Sequence, residues 1–209
     1  MLTTLYRWLR DLIMDHSINI YEDVITSELC DELISLHKKE KIHAERTVYG
    51  EGTNVGCYNL YLDDYPEYDK KVFDVVEGII DRVLVDHIHF PDDVYYGNFM
   101  LREHYGGTSL HTDGIFDDGN LTQARILSII IALTDDYDGG EFNFPEQSYQ
   151  VKLKRGEAIT FPPSYFYPHE VSPPSNGERY TINLWVLLSQ EDGKINTRKD
   201  FVRRNGSTN

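Results

Sequence analysis

The chain has 209 residues, of which 40% are hydrophobic, so it can form one compact domain with its own core and is too apolar to be generally disordered. Asp and Glu number 35 against 20 Lys and Arg, which gives a formal net charge of −15. This charge disfavours nucleic acid and anionic membranes as partners, because proteins bind the phosphates of both through Lys and Arg.

The first segment, Met1–Asp15, has apolar residues at helical spacing that are interrupted by charged residues. This pattern predicts a short amphipathic helix packed on the domain, and not a signal peptide or a membrane span. A helix that lies on a membrane or a partner is the alternative. Cys30 and Cys57 are the two cysteines, and without a secretory signature they indicate free thiols in a reducing, cytoplasmic compartment.

The next residues predict two helices and two strands. Ile18–Tyr21 and Cys57–Leu62 have the character of strands. A helix is predicted from about Ser27 to Lys41, with Thr26 as its N-cap. A longer one is predicted from Pro66 to His87, where apolar residues recur every three to four positions.

After Pro91 the sequence changes to short β-like runs separated by Gly, Pro and Asp. These runs lie near residues 95–104, 110–116, 124–133, 140–144, 148–153, 157–161 and 178–188. Such a series predicts a mostly β protein, a jelly roll (double-stranded β-helix) with the two helices supporting one sheet from outside. We expect a single domain: a helical buttress over about 1–90, the jelly roll over about 91–190 and a polar, solvated tail over about 191–209.

Three residues have the chemistry of a metal site. In an extended segment, side chains at i and i+2 point the same way, so His111 and Asp113 can face one ion. A third ligand, His169, follows 56 residues later, which leaves room for several strands between them. Two imidazoles and one carboxylate form the facial triad of non-haem Fe(II) oxygenases, which leaves the other face of the ion open for substrate and O₂. His87 and His89 form a competing pair, which we interpret as structural because no partner follows them.

Arg179 adds a candidate anion site. Its planar guanidinium suits a carboxylate. In a strand that starts at Arg179, the same face carries Thr181, Asn183 and Trp185. That face is the more polar one, as the interior of a ligand pocket would be.

The segments Asp138-Gly-Gly-Glu-Phe142, Lys154-Arg-Gly-Glu-Ala-Ile-Thr-Phe161 and the run from Tyr167 to Trp185 together resemble the Fe(II)/2-oxoglutarate dioxygenases of the prolyl hydroxylase branch. The resemblance covers roughly residues 95–188. It implies that His111, Asp113 and His169 are the catalytic iron ligands and that Arg179 pairs with the distal carboxylate of 2-oxoglutarate. The cofactors implied are Fe(II), 2-oxoglutarate and O₂, with ascorbate as an optional reductant.

The resemblance also suggests further pocket residues, and here the chain departs from the pattern. The tyrosine that often holds the cosubstrate before the HxD motif has Tyr105 as its nearest candidate. Ser128 and Ala132 stand where the family often has Thr and Tyr. Together with Arg179, the predicted cosubstrate residues are therefore Tyr105, Ser128, Thr181 and Asn183. Tyr165, Tyr167 and Trp185 are candidates for a substrate groove, with a purely structural role as the alternative.

The resemblance implies hydroxylation of a C–H bond, with a prolyl residue of a peptide or protein as the expected substrate. A small molecule or a free amino acid is the alternative, because one fold hosts many functions. A module that binds metal and 2-oxoglutarate without turnover is a second alternative, motivated by Ala132. A nucleic acid demethylase is disfavoured by the net charge.

Overall fold

The computed structural model describes residues 17–48, 56–91, 94–117, 120–191 and 194–196. The predicted N-terminal amphipathic helix and all but the first residues of the predicted tail lie outside the described residues.

Two α-helices precede most of the strands, as predicted. Helix α1 comprises Ser27–Glu40 and helix α2 comprises Pro66–Asp86. Thr26 caps α1, since its side chain accepts a hydrogen bond from the backbone N–H of Leu29 at 3.3 Å. Short 3₁₀ turns follow at Lys41–His43 and Leu62–Asp64. Neither α-helix combines the length and the apolar character needed to cross a membrane.

The strands form two antiparallel sheets. They are β1 (Asn19–Tyr21), β2 (Glu45–Val48), β3 (Gly56–Tyr61), β4 (Tyr95–Tyr96), β5 (Met100–His104), β6 (Thr108–His111), β7 (Phe116–Asp117), β8 (Asn120–Ala132), β9 (Phe142–Phe144), β10 (Tyr149–Val151), β11 (Ala158–Phe161), β12 (His169–Val171), β13 (Arg179–Glu191) and β14 (Lys194–Asn196). The larger sheet has the order β1-β11-β8-β13-β5-β3-β2, with β4 and β14 paired to β13 and β7 paired to β8. The smaller sheet has the order β10-β9-β12-β6. This is the predicted double-stranded β-helix.

Alternation along the central strands creates two cores. In β8, Ile129 and Ile131 belong to the core shared with the helices, whereas Ile130 and Ala132 belong to the core shared with the smaller sheet. In β13, Tyr180, Ile182, Leu184 and Val186 face the helices. The helices therefore support the larger sheet from outside, and the opposite face of β13 is left for polar side chains, as its sequence predicts.

Several strand predictions were wrong in their bounds. The predicted run 95–104 is two strands, β4 and β5, and the run 110–116 is replaced by β6 and β7. No strand was predicted for β2, β12 or β14, and β14, which pairs with the end of β13, lies in the segment predicted as a solvated tail. Strand β12 has three residues and lies in a proline-rich segment, which is too short for an alternating pattern to be recognised.

Candidate metal centre and anion pocket

Three predicted ligands meet at the edge of the smaller sheet. His111 ends β6 and His169 begins β12, and the two residues are direct partners in the antiparallel pair. Asp113 follows two residues after His111, and its Oδ1 lies 3.4 Å from Nε2 of His111 and 3.9 Å from Nε2 of His169. The donor atoms of all three residues lie within 4.8 Å of one another. Bonds of about 2.1 Å to a central ion need donor atoms at separations of roughly 3 to 4 Å, so this cluster has the dimensions of a metal site.

Both imidazoles are held so that Nε2 is free for a metal. Nδ1 of His111 lies 2.8 Å from the carbonyl oxygen of Ser109, and Nδ1 of His169 lies 3.1 Å from that of Tyr167. A carbonyl oxygen only accepts, so each Nδ1 carries a proton, and in the neutral imidazole each Nε2 keeps its lone pair. The ring of His169 also packs edge-on against Phe161, with centroids 4.6 Å apart. These contacts set the tautomer and the orientation that a metal ligand needs.

The protonation states of Asp113 and His169 also favour metal binding. Burial by itself would raise the pKa of Asp113, but its contacts with His111, His169, Ser128 and Trp185 together hold the pKa of this carboxyl well below its ordinary value. Burial lowers the pKa of His169. Burial would also lower the pKa of His111, but the Asp113 carboxylate outweighs it and raises this pKa, so a metal ion at His111 competes with a proton. An ionised carboxylate and a neutral imidazole are the forms that bind metal ions.

Ser128 contacts Asp113 directly. Its hydroxyl donates to Oδ2 of Asp113 at 2.5 Å, which leaves Oδ1, the oxygen nearer the two imidazoles, free to bind an ion. Ser128 itself is fully buried on β8. The predicted pocket residue thus lies beside the candidate metal centre.

We expect Ser128→Ala to lower the affinity for Mn(II) by about tenfold or more, because loss of a hydrogen bond that orients a metal ligand costs on the order of 10 to 100-fold. Ser128→Thr, which keeps the hydroxyl, should retain most of the affinity. Calorimetric titration of the three proteins with Mn(II) measures this. Equal affinities of wild type and the alanine variant would show that the hydroxyl does not orient Asp113.

The candidate metal centre opens into a cavity of about 820 Å³ against the larger sheet. Its polar lining includes Arg179, Asn183 and Trp185, which share one face of β13. The side chain of Thr181, on the same face, is buried, and its hydroxyl donates to Oδ1 of Asn183 at 2.6 Å. The structure therefore brings Arg179 and Asn183 into one cavity with the three candidate ligands, and places Thr181 in contact with Asn183.

Arg179 is buried without a carboxylate partner. It is 3% exposed, its Nε has no hydrogen-bond partner, and no carboxylate in the described part of the chain lies within 4 Å of it. Its guanidinium lies 5.6 Å from the centre of the Phe142 ring and forms a hydrogen bond with Tyr137. A buried guanidinium is costly unless it is paired. The chemistry of this cavity therefore fits a ligand that carries a carboxylate.

The remaining predicted residues lie at different distances from the cavity. Trp185 lines it, and the guanidinium of Arg125 stacks 4.0 Å from its ring. Tyr105 is not among the lining residues: it is 38% exposed, and its hydroxyl donates to the carbonyl oxygen of Thr47 at 3.1 Å. Tyr165 is 69% exposed and stacks on Phe166, also outside the cavity.

Tyr105 was predicted to face the cosubstrate, but the structure places its neighbour His104 in the cavity instead. Strand β5 places Met100, Arg102 and His104 along the cavity, so the cavity-facing residue next to Arg179 is His104. Nε2 of His104 lies 2.8 Å from the hydroxyl of Thr181. Tyr167 packs against the core of the smaller sheet, and its carbonyl oxygen is the partner of His169.

Arg102 and His104, which line the cavity, and Tyr137, which contacts Arg179, were not predicted from the sequence. Alternation along β5 from Met100 would have placed Arg102 and His104 on one face. Tyr137 lies in the loop after β8, for which no such pattern exists.

Comparison with known proteins agrees with this geometry. Residues 96–187 match the family model described as the 2OG-Fe(II) oxygenase superfamily. A curated relative, Prolyl 4-hydroxylase 5 of Arabidopsis thaliana, is 26% identical over 66% of this chain and 48% of its own length. The PKHD-type hydroxylase of Synechococcus sp. is 25% identical over 57% of this chain and 56% of its own length. The chain thus spans about half the length of these two relatives.

Solved structures share the fold. The viral collagen prolyl hydroxylase of Paramecium Bursaria Chlorella virus-1, as its 2OG complex, superposes with a TM-score of 0.60 at 22% identity, covering 82% of this chain and 95% of that one. A prolyl hydroxylase from Trichoplax adhaerens, in complex with a hypoxia inducible factor peptide fragment, gives a TM-score of 0.63 at 17% identity, covering 88% and 91%.

A double-stranded β-helix that gathers two histidines and one aspartate at its open edge defines the class of non-haem iron oxygenases. Within that class, residues 96–187 match the 2OG-Fe(II) oxygenase superfamily, and the chain is similar to prolyl 4-hydroxylases. The family implies Fe(II), 2-oxoglutarate and O₂ as cofactors.

Proposed function

We propose that this chain is an Fe(II)- and 2-oxoglutarate-dependent dioxygenase that hydroxylates an unactivated C–H bond of a prolyl residue in a peptide or protein. The observation that supports it best is the buried guanidinium of Arg179, which lacks a carboxylate partner and lines the same cavity as the two histidines and the aspartate. A metal site alone would leave this cation unexplained, and a dicarboxylate that reaches from the metal to Arg179 accounts for both.

Each residue has a specific role in this proposal. His111, Asp113 and His169 hold the ion and leave its other positions free. Arg179 would bind the distal carboxylate of 2-oxoglutarate through its planar guanidinium, and so orient the cosubstrate. When bound, Fe(II) and 2-oxoglutarate supply the oxidising chemistry with O₂, since conversion of 2-oxoglutarate to succinate and CO₂ places one oxygen atom in succinate and the other in the C–H bond.

Neighbouring side chains restrict water in the cavity. Ile130, Phe142 and Val171 line it from the core side, and each is less than 9% exposed. Apolar walls strengthen the electrostatic contacts of Arg179 and limit side reactions with water. We include the two helices in the same domain, because their apolar faces share a core with the larger sheet.

The prolyl substrate is supported by the relatives, several of which are named as prolyl hydroxylases, including one solved with a peptide. On this basis we propose a peptide or protein as the partner. A small molecule or a free amino acid is the alternative substrate, and the charge of Arg102 inside the cavity is relevant to the choice between them.

The experiment that tests the proposal is the conversion of 2-oxoglutarate to succinate by the purified chain. We expect succinate to form slowly without substrate when Fe(II), 2-oxoglutarate and O₂ are all present, and faster with proline-containing peptides, which should gain the mass of one oxygen. Omission of Fe(II) should stop both reactions. Binding of Mn(II) and 2-oxoglutarate without any succinate would instead identify a non-catalytic module. Ala132, which stands where the family often has Tyr, is the reason to consider such a module.

A further inference from the structure

A second buried arginine lines the cavity. Arg102 is 9% exposed, its Nε has no hydrogen-bond partner, and its Nη2 donates to the thioether sulfur of Met100 at 3.0 Å. No carboxylate in the described part of the chain lies within 4 Å of this guanidinium. A thioether is a weak acceptor. Arg102 is therefore a buried cation with most of its hydrogen-bonding capacity unused, in a chain whose net charge is −15.

The strand register places Arg102 apart from Arg179. Arg179 is opposite His104, whereas Arg102 is opposite Thr181 and Met100 is opposite Asn183. Because Arg102 donates to Met100, its guanidinium lies towards Asn183, four residues along β13 from Arg179. Burial lowers the pKa of Arg179 and the charge of Arg102 lowers it further, so the two guanidinium groups lie within electrostatic range of each other. The guanidinium of Arg102 therefore lies on the side of Arg179 that is nearer to Trp185, the residue of β13 that contacts Asp113.

The other neighbours of Arg102 do not neutralise it. Asn59 is its partner on β3, and the amide of Asn59 already donates to Thr47 at 2.6 Å. Among the acidic residues that line the cavity, Asp113 belongs to the metal centre and Glu45 lies on β2, two strands from Arg102. Among the described residues Arg102 therefore has no anionic partner, and a bound ligand could supply one.

We propose that Arg102 is a specificity residue that binds a carboxylate of the substrate, beside the reacting position. This inference rests on the proposed function, in which the two carboxylates of 2-oxoglutarate already have partners at the metal and at Arg179. A planar carboxylate matches the guanidinium fork. It can come from a free amino acid or from an acidic residue next to the target in a peptide.

Paired probes distinguish these two sources. The first pair is free L-proline and L-prolinamide, and the second is acetyl-Gly-Pro-Glu-amide and acetyl-Gly-Pro-Gln-amide. Calorimetry with protein loaded with Mn(II) and 2-oxoglutarate measures each affinity without requiring turnover. In at least one pair we expect the carboxylate member to bind about tenfold or more tightly, as a charge-assisted hydrogen bond to a buried group allows. The pair that responds identifies the source.

The variants assign this preference to Arg102. Arg102→Met should remove it, and Arg102→Lys, which keeps the charge but loses the fork, should reduce it. The lysine variant also serves if the methionine variant does not fold. Arg82→Met removes an exposed arginine on α2 and should leave the preference as in wild type. Equal binding within both pairs, or no binding of any probe, would overturn the inference.

Two further outcomes separate this inference from the proposed function. If Arg102→Met raises the KM for 2-oxoglutarate in succinate formation and keeps the carboxylate preference, Arg102 belongs to the cosubstrate site and the inference is wrong. If the wild type forms succinate but shows no preference for a carboxylate, only the role of Arg102 is refuted. Absence of succinate in the wild type refutes the proposed function itself.

Discussion

Replacing His169 by alanine should abolish the conversion of 2-oxoglutarate to succinate. In the proposed site His169 would supply one of three protein ligands, and its Nε2 lies 3.9 Å from the carboxylate of Asp113. The loss of a residue that merely orients a ligand costs on the order of 10 to 100-fold in metal affinity, so the loss of a ligand should cost more. Titration with Mn(II) and assay of succinate at saturating Fe(II) measure the two effects.

His43→Ala is the matched control, because this histidine is 67% exposed on the turn after α1 and faces solvent. It should bind Mn(II) and form succinate as the wild type does. His111→Ala and Asp113→Ala should fail in the same way as His169→Ala. Asp113→Glu should also be severely impaired, because the longer side chain moves the oxygen by about 1.5 Å and metal sites tolerate only about ±0.2 Å. Near wild-type turnover in any alanine variant would reject the three-ligand site.

Much of the fold was predictable because its elements carry strong periodic patterns. Helix α2 ends one residue before the predicted limit, and α1 has the predicted cap. Strand β13 separates polar from apolar residues as its alternation indicates. Long elements that bury one face repeat the same signal many times, so that a few exceptions do not hide it.

The candidate ligands were predictable for a different reason. The spacing of His111 and Asp113 fixes their relation locally, since alternate residues of an extended chain share a face. That His169 pairs directly with His111 depends on strand β12, which has three residues and no pattern of its own. The sequence could therefore indicate which residues form the site, and the sheet topology was needed to show how they meet.

The cavity-facing residues of β5 could not be predicted, because they depend on which face of this strand is inward. Tyr105 and His104 are adjacent in sequence, and a shift of one residue in the strand exchanges the two faces. The structure settles the register by pairing His104 with Arg179, so that Arg102 also faces the cavity. A buried arginine in a strand has no sequence signature that separates it from an exposed one.

Arg179→Ala should raise the KM for 2-oxoglutarate by about thirtyfold or more. The variant would leave the distal carboxylate without its partner in a buried site, which costs about 2 to 5 kcal/mol, and each 1.4 kcal/mol is worth about tenfold. Arg179→Lys should raise the KM clearly less, because lysine keeps the charge and loses the bidentate geometry. The rate of succinate formation over a range of 2-oxoglutarate concentrations measures both.

Two comparisons make the Arg179 result specific. The affinity for Mn(II) should hardly change in Arg179→Ala, because Arg179 is not one of the clustered donor residues. Arg82→Ala, which removes an exposed guanidinium that donates to the carbonyl oxygen of Glu22, should leave the KM as in wild type. An Arg179→Ala protein that saturates at the wild-type concentration of 2-oxoglutarate would show that the carboxylate is held elsewhere. The cosubstrate site would then be misassigned even if the three metal ligands proved correct, because the two sites use different residues.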